Sequence, residues 1–243
     1  MYIVQADHEW RSIAEEYNKR WNFPHCVGAI DGKHVLIQKP ENTISEFHNY
    51  KGTDSIVLLG IADANYCFTY VNVGCQGRIS DGGVFKYTSF SKKLEKNELG
   101  LPECEALPGR MMKLPCVLVA DDAFALSENI MKPYATDLNK GSPKRVFNYR
   151  LSRARRIIEN TFGLLSAVFR IFRKPIECFD NEDSNTGEII PGSWREITSG
   201  DTGLRQFRSI PRKPASNATN IREEFKSYFM SEIGSLPFQD KYL

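Results

Sequence analysis

The sequence predicts an α/β domain, because segments with strand character alternate along it with segments of helical periodicity. Its 243 residues, 41% of them hydrophobic, are enough to form a substantial core. Apolar runs bounded by Gly, Asn and Asp are typical of strands, whereas apolar residues recurring at steps of three and four are typical of helices. Both patterns occur, so we expect a sheet flanked by helices.

The first half of the chain predicts one helix followed by three strands. Residues 8–20 place apolar side chains at helical spacing, which indicates a short amphipathic helix. Residues 64–66, Ala-Asn-Tyr, separate two apolar runs and predict a hairpin. The predicted strands are 27–38, 55–63 and 67–74.

The second half predicts a strand among helices. Residues 80–83, Ser-Asp-Gly-Gly, form a helix-start signal, and the apolar run 116–120 is typical of a buried central strand. Residues 127–131 predict a helical turn that Pro133 stops. From residue 149 to 169 the helical pattern is the strongest in the chain.

The composition suggests four segments along the chain. Residues rich in Asp, Asn, Ser, Gly and Pro near the C-terminus indicate a flexible polar linker. The predicted organisation is a short helical segment at 1–25, a core at 26–176, the linker at 177–219, and a C-terminal helix and tail at 220–243.

Several classes of protein are disfavoured by simple counts. No apolar run reaches the length of a spanning helix, and the N-terminus lacks the pattern of a signal peptide, so we expect neither a secreted nor a membrane protein. The six cysteines include no CxxC pair, and the four histidines all lie within the first 48 residues. These patterns favour reduced thiols in an intracellular protein over a zinc site.

The formal net charge of +2 averages over an uneven distribution. Residues 138–174 contain ten basic side chains and one acidic side chain, Glu159, whereas the parts of the chain before and after them are acidic. A solvated helix face normally carries both signs. A surface this positive attracts polyanions, so the sequence favours contact with a nucleic acid.

Three carboxylates stand where an unpaired charge would be costly to bury. Asp31 interrupts the first predicted strand, and Asp121, with Asp122 beside it, follows the short apolar strand. Glu159 is the acidic residue of the basic helix. If Asp31, Asp121 and Glu159 converge, they form an all-oxygen site suited to Mg²⁺ or Mn²⁺, and such a site can hold two ions.

Each of these carboxylates also has a simpler interpretation. Asp31 precedes a glycine and is compatible with a turn, and Asp121 and Asp122 are compatible with helix capping. Glu159 follows Arg155 and Arg156 at helical spacing, so surface ion pairs would explain it.

Several strings together resemble the catalytic domain of PIF/Harbinger-type transposases and of the nucleases derived from them. The similarity runs almost continuously over residues 8–176. The strings are WNFPHCVGAIDGKHV, NYKGTDSIVLLGIADANYCFTYVNVG, GRISDGGVF, VADDAFAL, MKPY and FNYRLSRARRIIENTFGLL, with IREEFKSYF near the C-terminus.

The resemblance implies an RNase H-like mixed sheet flanked by helices, the catalytic core of DDE transposases and nucleases. Matched residue by residue, its catalytic, metal-binding triad is Asp31, Asp121 and Glu159. Asp81 matches a recurrent family acid, which we interpret as a helix cap near the site with metal assistance as the alternative. Asp122 is a second accessory residue.

The sequence therefore predicts a transposon-derived, divalent-metal-dependent DNA endonuclease or strand transferase. The basic residues expected to contact DNA are Lys144, Arg145, Arg150, Arg153, Arg155 and Arg156. The resemblance also implies a separate Myb/SANT-like DNA-binding partner and a nuclear location, with some protein in the cytoplasm. A homodimer is compatible with this prediction.

Two departures from the family pattern motivate an alternative. Family transposases carry a helical region ahead of this domain, where this sequence has some twenty residues. They also continue beyond residue 177 with a helix containing Leu-His-Asn, which is absent here. The alternative is a catalytically silent DNA-binding or interaction module, and a phosphatase acting on small esters is a further one.

Overall fold

The computed structural model describes residues 6–39, 45–135, 139, 141–176, 181–182, 189–190 and 216–239. The helices are α1 (Asp7–Trp21), α2 (Asp81–Tyr87), α3 (Ser89–Glu95), α4 (Pro143–Val168) and α5 (Ser216–Phe229). The strands are β1 (Cys26–Leu36), β2 (Ser55–Ala62), β3 (Phe68–Gln76), β4 (Glu105–Ala106), β5 (Lys113–Leu114), β6 (Val117–Val119), β7 (Ile130–Met131), β8 (Asn181–Glu182) and β9 (Ile189–Ile190).

Five of these strands form a mixed sheet in the order β3-β2-β1-β6-β7. Strands β1, β2 and β3 form an antiparallel meander, whereas β6 pairs parallel to β1 and β7 pairs parallel to β6. The long strand β1 therefore lies in the middle, with an antiparallel neighbour on one side and a parallel one on the other. This arrangement confirms the predicted RNase H-like mixed sheet.

Helices cover both faces of the sheet, and the side chains of β1 are divided between two apolar clusters. Ala29 and Val35 belong to a cluster that includes the buried stripe of α4 and the apolar residues of α5. Val27 and Ile30 belong to a second cluster, together with α2 and α3. The helix α5 is thus packed into the same core as α4.

Two helices of the core begin at serine caps. Ser80 Oγ accepts a hydrogen bond from the Gly83 amide at the start of α2, as the sequence signal predicts. Ser142 Oγ does the same for the Arg145 amide, and Pro143 follows as the first helical residue. The α4 helix therefore begins six residues before the predicted start at 149.

The predicted helical turn at 127–131 is wrong. Ile130 and Met131 instead form β7, whose register places them opposite Leu118 and Val119 of β6. Both β7 residues are buried, so pairing with the sheet overrides the local preference. A two-residue strand has no readable period, which is why the sequence pattern misses it.

The predicted linker, 177–219, lies largely outside the described residues, and α5 begins at its edge, at Ser216 rather than at 220. Among the described residues, none of the helices combines the length and apolar character needed to cross a membrane.

Candidate active site

Asp31 lies in the middle of β1, where the sheet register brings it level with Asp121. The parallel pairing joins Ala29 of β1 to Val119 of β6, and each aspartate follows its paired residue by two positions. Asp121 follows the C-terminal end of β6, and its charge acts on Asp31, so the two carboxylates are neighbours beside that strand end. The half-buried Asp31 accepts a hydrogen bond from the Gly32 amide at 2.9 Å.

Asp81, in the first turn of α2, lies against Gly32 and therefore next to Asp31. Its carboxylate is so close to Gly32 that a Cβ at that glycine would lie 1.9 Å from Asp81 Oδ1. The absence of a side chain at Gly32 therefore makes room for the acid. Asp81 Oδ1 is buried and has no hydrogen-bond partner, which is costly for a carboxylate oxygen unless a cation approaches it.

Repulsion between the carboxylates raises the pKa values of Asp31 and Asp81 beyond the effect of burial. Burial, together with the charges of Asp121 and Asp81, raises the pKa of Asp31 to about 7. Burial and the charge of Asp121 raise the pKa of Asp81 to about 6. Lys51 opposes the second shift and is a cation that sequence reasoning missed, because it lies in a polar loop with no motif of its own.

Glu159 reaches this group of acids through Arg155. The Arg155 guanidinium lies 2.9 Å from Glu159 Oε1 and 3.9 Å from Asp121 Oδ2. The ion pair of the simpler interpretation therefore exists, and it also links α4 to the end of β6. Asp121 has a local role as well, since its Oδ1 accepts from the Ala123 amide at 2.9 Å.

Asp122 is not brought to the three neighbouring aspartates by any described contact. Its side chain is 69% exposed and pairs with Lys132 at 2.8 Å. The Lys132 ammonium also donates to the Asp122 carbonyl. The structure thus gives Asp122 an ion-pairing role on the surface.

The carboxylates of this site are of the kind that bind a hard divalent cation, although they do not surround a single point. In the described part of the chain, no three His, Cys, Asp or Glu side chains form a group that could hold a metal ion as they stand. Asp31, Asp81 and Asp121 nevertheless repel one another, and one of their buried oxygens lacks a partner. A divalent ion would relieve both conditions, and carboxylate oxygens are the ligands that Mg²⁺ and Mn²⁺ prefer.

The structure corrects the prediction for Arg150. This residue is only 2% exposed. Its guanidinium donates to the carbonyls of Asn22 and Gly234 and lies 4.2 Å from the centre of the Phe229 ring. Burial lowers the pKa of Arg150 to about 10. Its donors are used inside the fold and are not available to a phosphate, so Arg150 connects α4 to α1 and to the C-terminal region.

The other basic residues of α4 differ in how accessible they are. Lys144 and Arg156 are exposed, and Arg145 and Arg153 are half-buried. The Lys144 ammonium lies 5.5 Å from the Tyr134 ring centre, and the Arg153 guanidinium lies 5.1 Å from that of Phe238. Together with Arg155, these side chains provide positive charge along the same helix that carries Glu159.

A family model described as DDE superfamily endonuclease matches residues 30–184, well over half of the chain. The chain belongs to this family. The residues matched by the DDE superfamily endonuclease model include all five acids described above, Asp31, Asp81, Asp121, Asp122 and Glu159. It confirms the predicted relationship to Harbinger-derived nucleases.

Curated relatives agree with this assignment. "Protein ALP1-like" of Arabidopsis thaliana is 28% identical over 164 residues, which cover 65% of this chain and 39% of that protein. "Putative nuclease HARBI1" of Rattus norvegicus is 26% identical over 164 residues, covering 66% and 41%. The chain thus spans about two fifths of the length of these relatives. No solved structure matches the chain.

Proposed function

We propose that this DDE superfamily endonuclease is a transposon-derived, divalent-metal-dependent DNA endonuclease or strand transferase. The observation that carries the proposal is the proximity of Asp31, Asp81 and Asp121 near the C-terminal end of β6, where the buried Oδ1 of Asp81 has no hydrogen-bond partner. Glu159 lies on α4, the most basic of the described helices, and is linked to Asp121 through Arg155.

Asp31, Asp121 and Glu159 are the proposed ligands of Mg²⁺ or Mn²⁺, with room in the donor set for two ions. When bound, such ions activate water or a 3′-hydroxyl and stabilise the leaving oxygen of a phosphodiester. Asp81 is the accessory acid, positioned by Gly32 and by the cap of α2.

The remaining chemistry belongs to the basic side chains of α4. Phosphate contacts from these residues would hold the duplex in register without reading its sequence. Sequence recognition is proposed to come from the Myb/SANT-like partner, with action in the nucleus. The proposed DNA contacts are Lys144, Arg145, Arg153, Arg155 and Arg156.

A plasmid assay tests the proposed reaction. Purified protein is expected to nick supercoiled DNA with Mg²⁺ or Mn²⁺ and to stop doing so in Asp31→Asn. Asp122→Asn is the matched control, because that carboxylate is exposed and paired with Lys132, and its nicking is expected to stay at the wild-type rate. Nicking without metal, or nicking that survives Asp31→Asn, would overturn the proposal.

One observation favours the alternative of a catalytically silent DNA-binding module, namely the ion pair between Arg155 and Glu159. It satisfies both charges without a metal ion. For such a module, DNA binding would survive Glu159→Gln and would weaken steeply with salt, and no cleavage would accompany it. Measuring binding by fluorescence anisotropy beside the plasmid assay separates the two functions.

A further inference from the structure

Arg155 occupies the space between two proposed metal ligands that come from different elements. One of its terminal nitrogens lies 2.9 Å from Glu159 on its own helix, and the other lies 3.9 Å from Asp121 after β6. Its side chain is 25% exposed, so the contact is partly shielded from solvent. The guanidinium thus supplies the positive charge that these two carboxylates require.

The influence of Arg155 extends to the third proposed ligand. Its positive charge acts on Asp31 as well, against the negative charges of the neighbouring aspartates. Arginine does not lose its proton in proteins, so this cation leaves only by moving its side chain. A divalent ion bound to Asp121 and Glu159 would repel it, and an accessible phosphate would attract it.

We propose that Arg155 is an internal counter-ion, which holds Asp121 and Glu159 in the metal-free protein and transfers to a DNA phosphate when a divalent ion takes its place. This inference rests on the proposed metal-dependent function. Metal and DNA then bind cooperatively, since each makes the departure of Arg155 from the carboxylates more favourable. By linkage, the coupling is the same in both directions.

The first test is binding of Mn²⁺ alone to the full chain by isothermal titration calorimetry. Removing the competing charge in Arg155→Gln is expected to tighten Mn²⁺ binding roughly tenfold, within the range usual for coupled sites. Arg156→Gln is the matched control, because it removes an exposed charge one residue further along the same helix. Arg155→Lys retains the charge and is expected to stay near wild type.

The second test measures Mn²⁺ affinity in the presence of a short DNA duplex. Gel electrophoresis checks that the duplex stays uncleaved during the measurement. DNA is expected to strengthen Mn²⁺ binding in the wild type and in Lys19→Gln, which removes an exposed charge on α1 outside the proposed DNA contacts. It is expected to lose most of this effect in Arg155→Gln. A merely structural role for Arg155 predicts something else, a lower unfolding temperature with Mn²⁺ affinity unchanged or weaker. That result would overturn the counter-ion inference.

The two proposals fail in different ways. If wild type and Asp121→Asn bind Mn²⁺ equally weakly, the metal-dependent function itself is wrong. If wild type binds Mn²⁺ through Asp121 but Arg155→Gln binds it no more tightly, only the role of Arg155 is wrong. If Arg155→Gln fails to fold, Arg155→Lys still tests the inference. This variant keeps the positive charge, so weaker Mn²⁺ binding than in the wild type would contradict the role of Arg155 as a counter-ion.

Discussion

Replacing Asp31 by Asn is expected to stabilise the metal-free protein while abolishing its response to metal. The carboxylate is half-buried among other acids, and its pKa rises from 3.8 to about 7. At pH 8 this difference corresponds to about 4 kcal/mol of destabilisation by the charged form, at 1.36 kcal/mol per unit. Residual solvent contact lowers the expected gain in Asp31→Asn to about 2 kcal/mol, or roughly 4–8 °C in unfolding temperature.

The pH dependence of the stability difference between Asp31→Asn and the wild type provides a second measurement. Because the folded pKa of Asp31 lies above the unfolded one, the folded protein takes up this proton first as the pH falls. The penalty is therefore complete above pH 7 and is lost between 7 and about 4. The advantage of Asp31→Asn should disappear over the same window. The new amide oxygen can still accept from the Gly32 amide, so the local geometry is retained.

Thermal unfolding of the two proteins with and without Mn²⁺ provides the assay. Excess Mn²⁺ should stabilise the wild type and leave Asp31→Asn unaffected. Asp122→Asn is the control at an exposed carboxylate, where the change should stay within about 0.5 kcal/mol. If Asp31→Asn is less stable than wild type at pH 8, or gains as much from Mn²⁺, the reasoning about the convergent acids is refuted.

Further variants test the other contacts. Gly32→Ala should cost about 1–3 kcal/mol in urea unfolding and weaken Mn²⁺ binding, because its Cβ would lie 1.9 Å from Asp81 Oδ1; unchanged Mn²⁺ affinity would contradict this. Arg150→Ala should cost about 3 kcal/mol by leaving buried carbonyls unpaired. Arg156→Ala should leave stability intact but reduce the salt dependence of DNA binding by about one phosphate contact in anisotropy titrations, and equal effects of these two arginine variants on stability would refute the assignment. Ser142→Ala should cost about 1 kcal/mol by removing the α4 cap, whereas no loss would mean that Pro143 alone suffices.

Local patterns predicted most of the large elements for identifiable reasons. The meander from β1 to β3 follows from apolar runs separated by a turn, and α4 follows from a long apolar stripe on a basic helix. The sequence pattern does not indicate the edge strand β7, because two buried residues carry no period and their pairing depends on β6. The periodicity also predicts too late a start for α4, since the first turn of this helix is largely polar and is stabilised by the Ser142 cap.

In the candidate site, too, the sequence indicates some of the residues and only the fold reveals the roles of others. Asp31 and Asp121 are recognisable in the sequence because an acid beside an apolar strand requires a partner. The interpretation of Asp81 as a helix cap is wrong, because Ser80 caps α2, and only the fold shows that the Asp81 carboxylate fills the space above Gly32. The sequence predicts the wrong role for Arg150, because a basic residue within a basic stretch is expected to be exposed unless its partners at Asn22 and Gly234 are known.

The sequence by itself determined the α/β class, the concentration of positive charge on one helix and the family, because these depend on local periodicity, composition and ordered motifs. Only the tertiary structure decided which charges meet. The parallel register of β1 and β6 sets Asp31 beside Asp121, and the packing of α4 brings Arg155 between Asp121 and Glu159. The contacts of Asp121 with Asp31 and with Arg155 join residues far apart in the chain, and their energies depend on distance and burial, which sequence spacing does not contain.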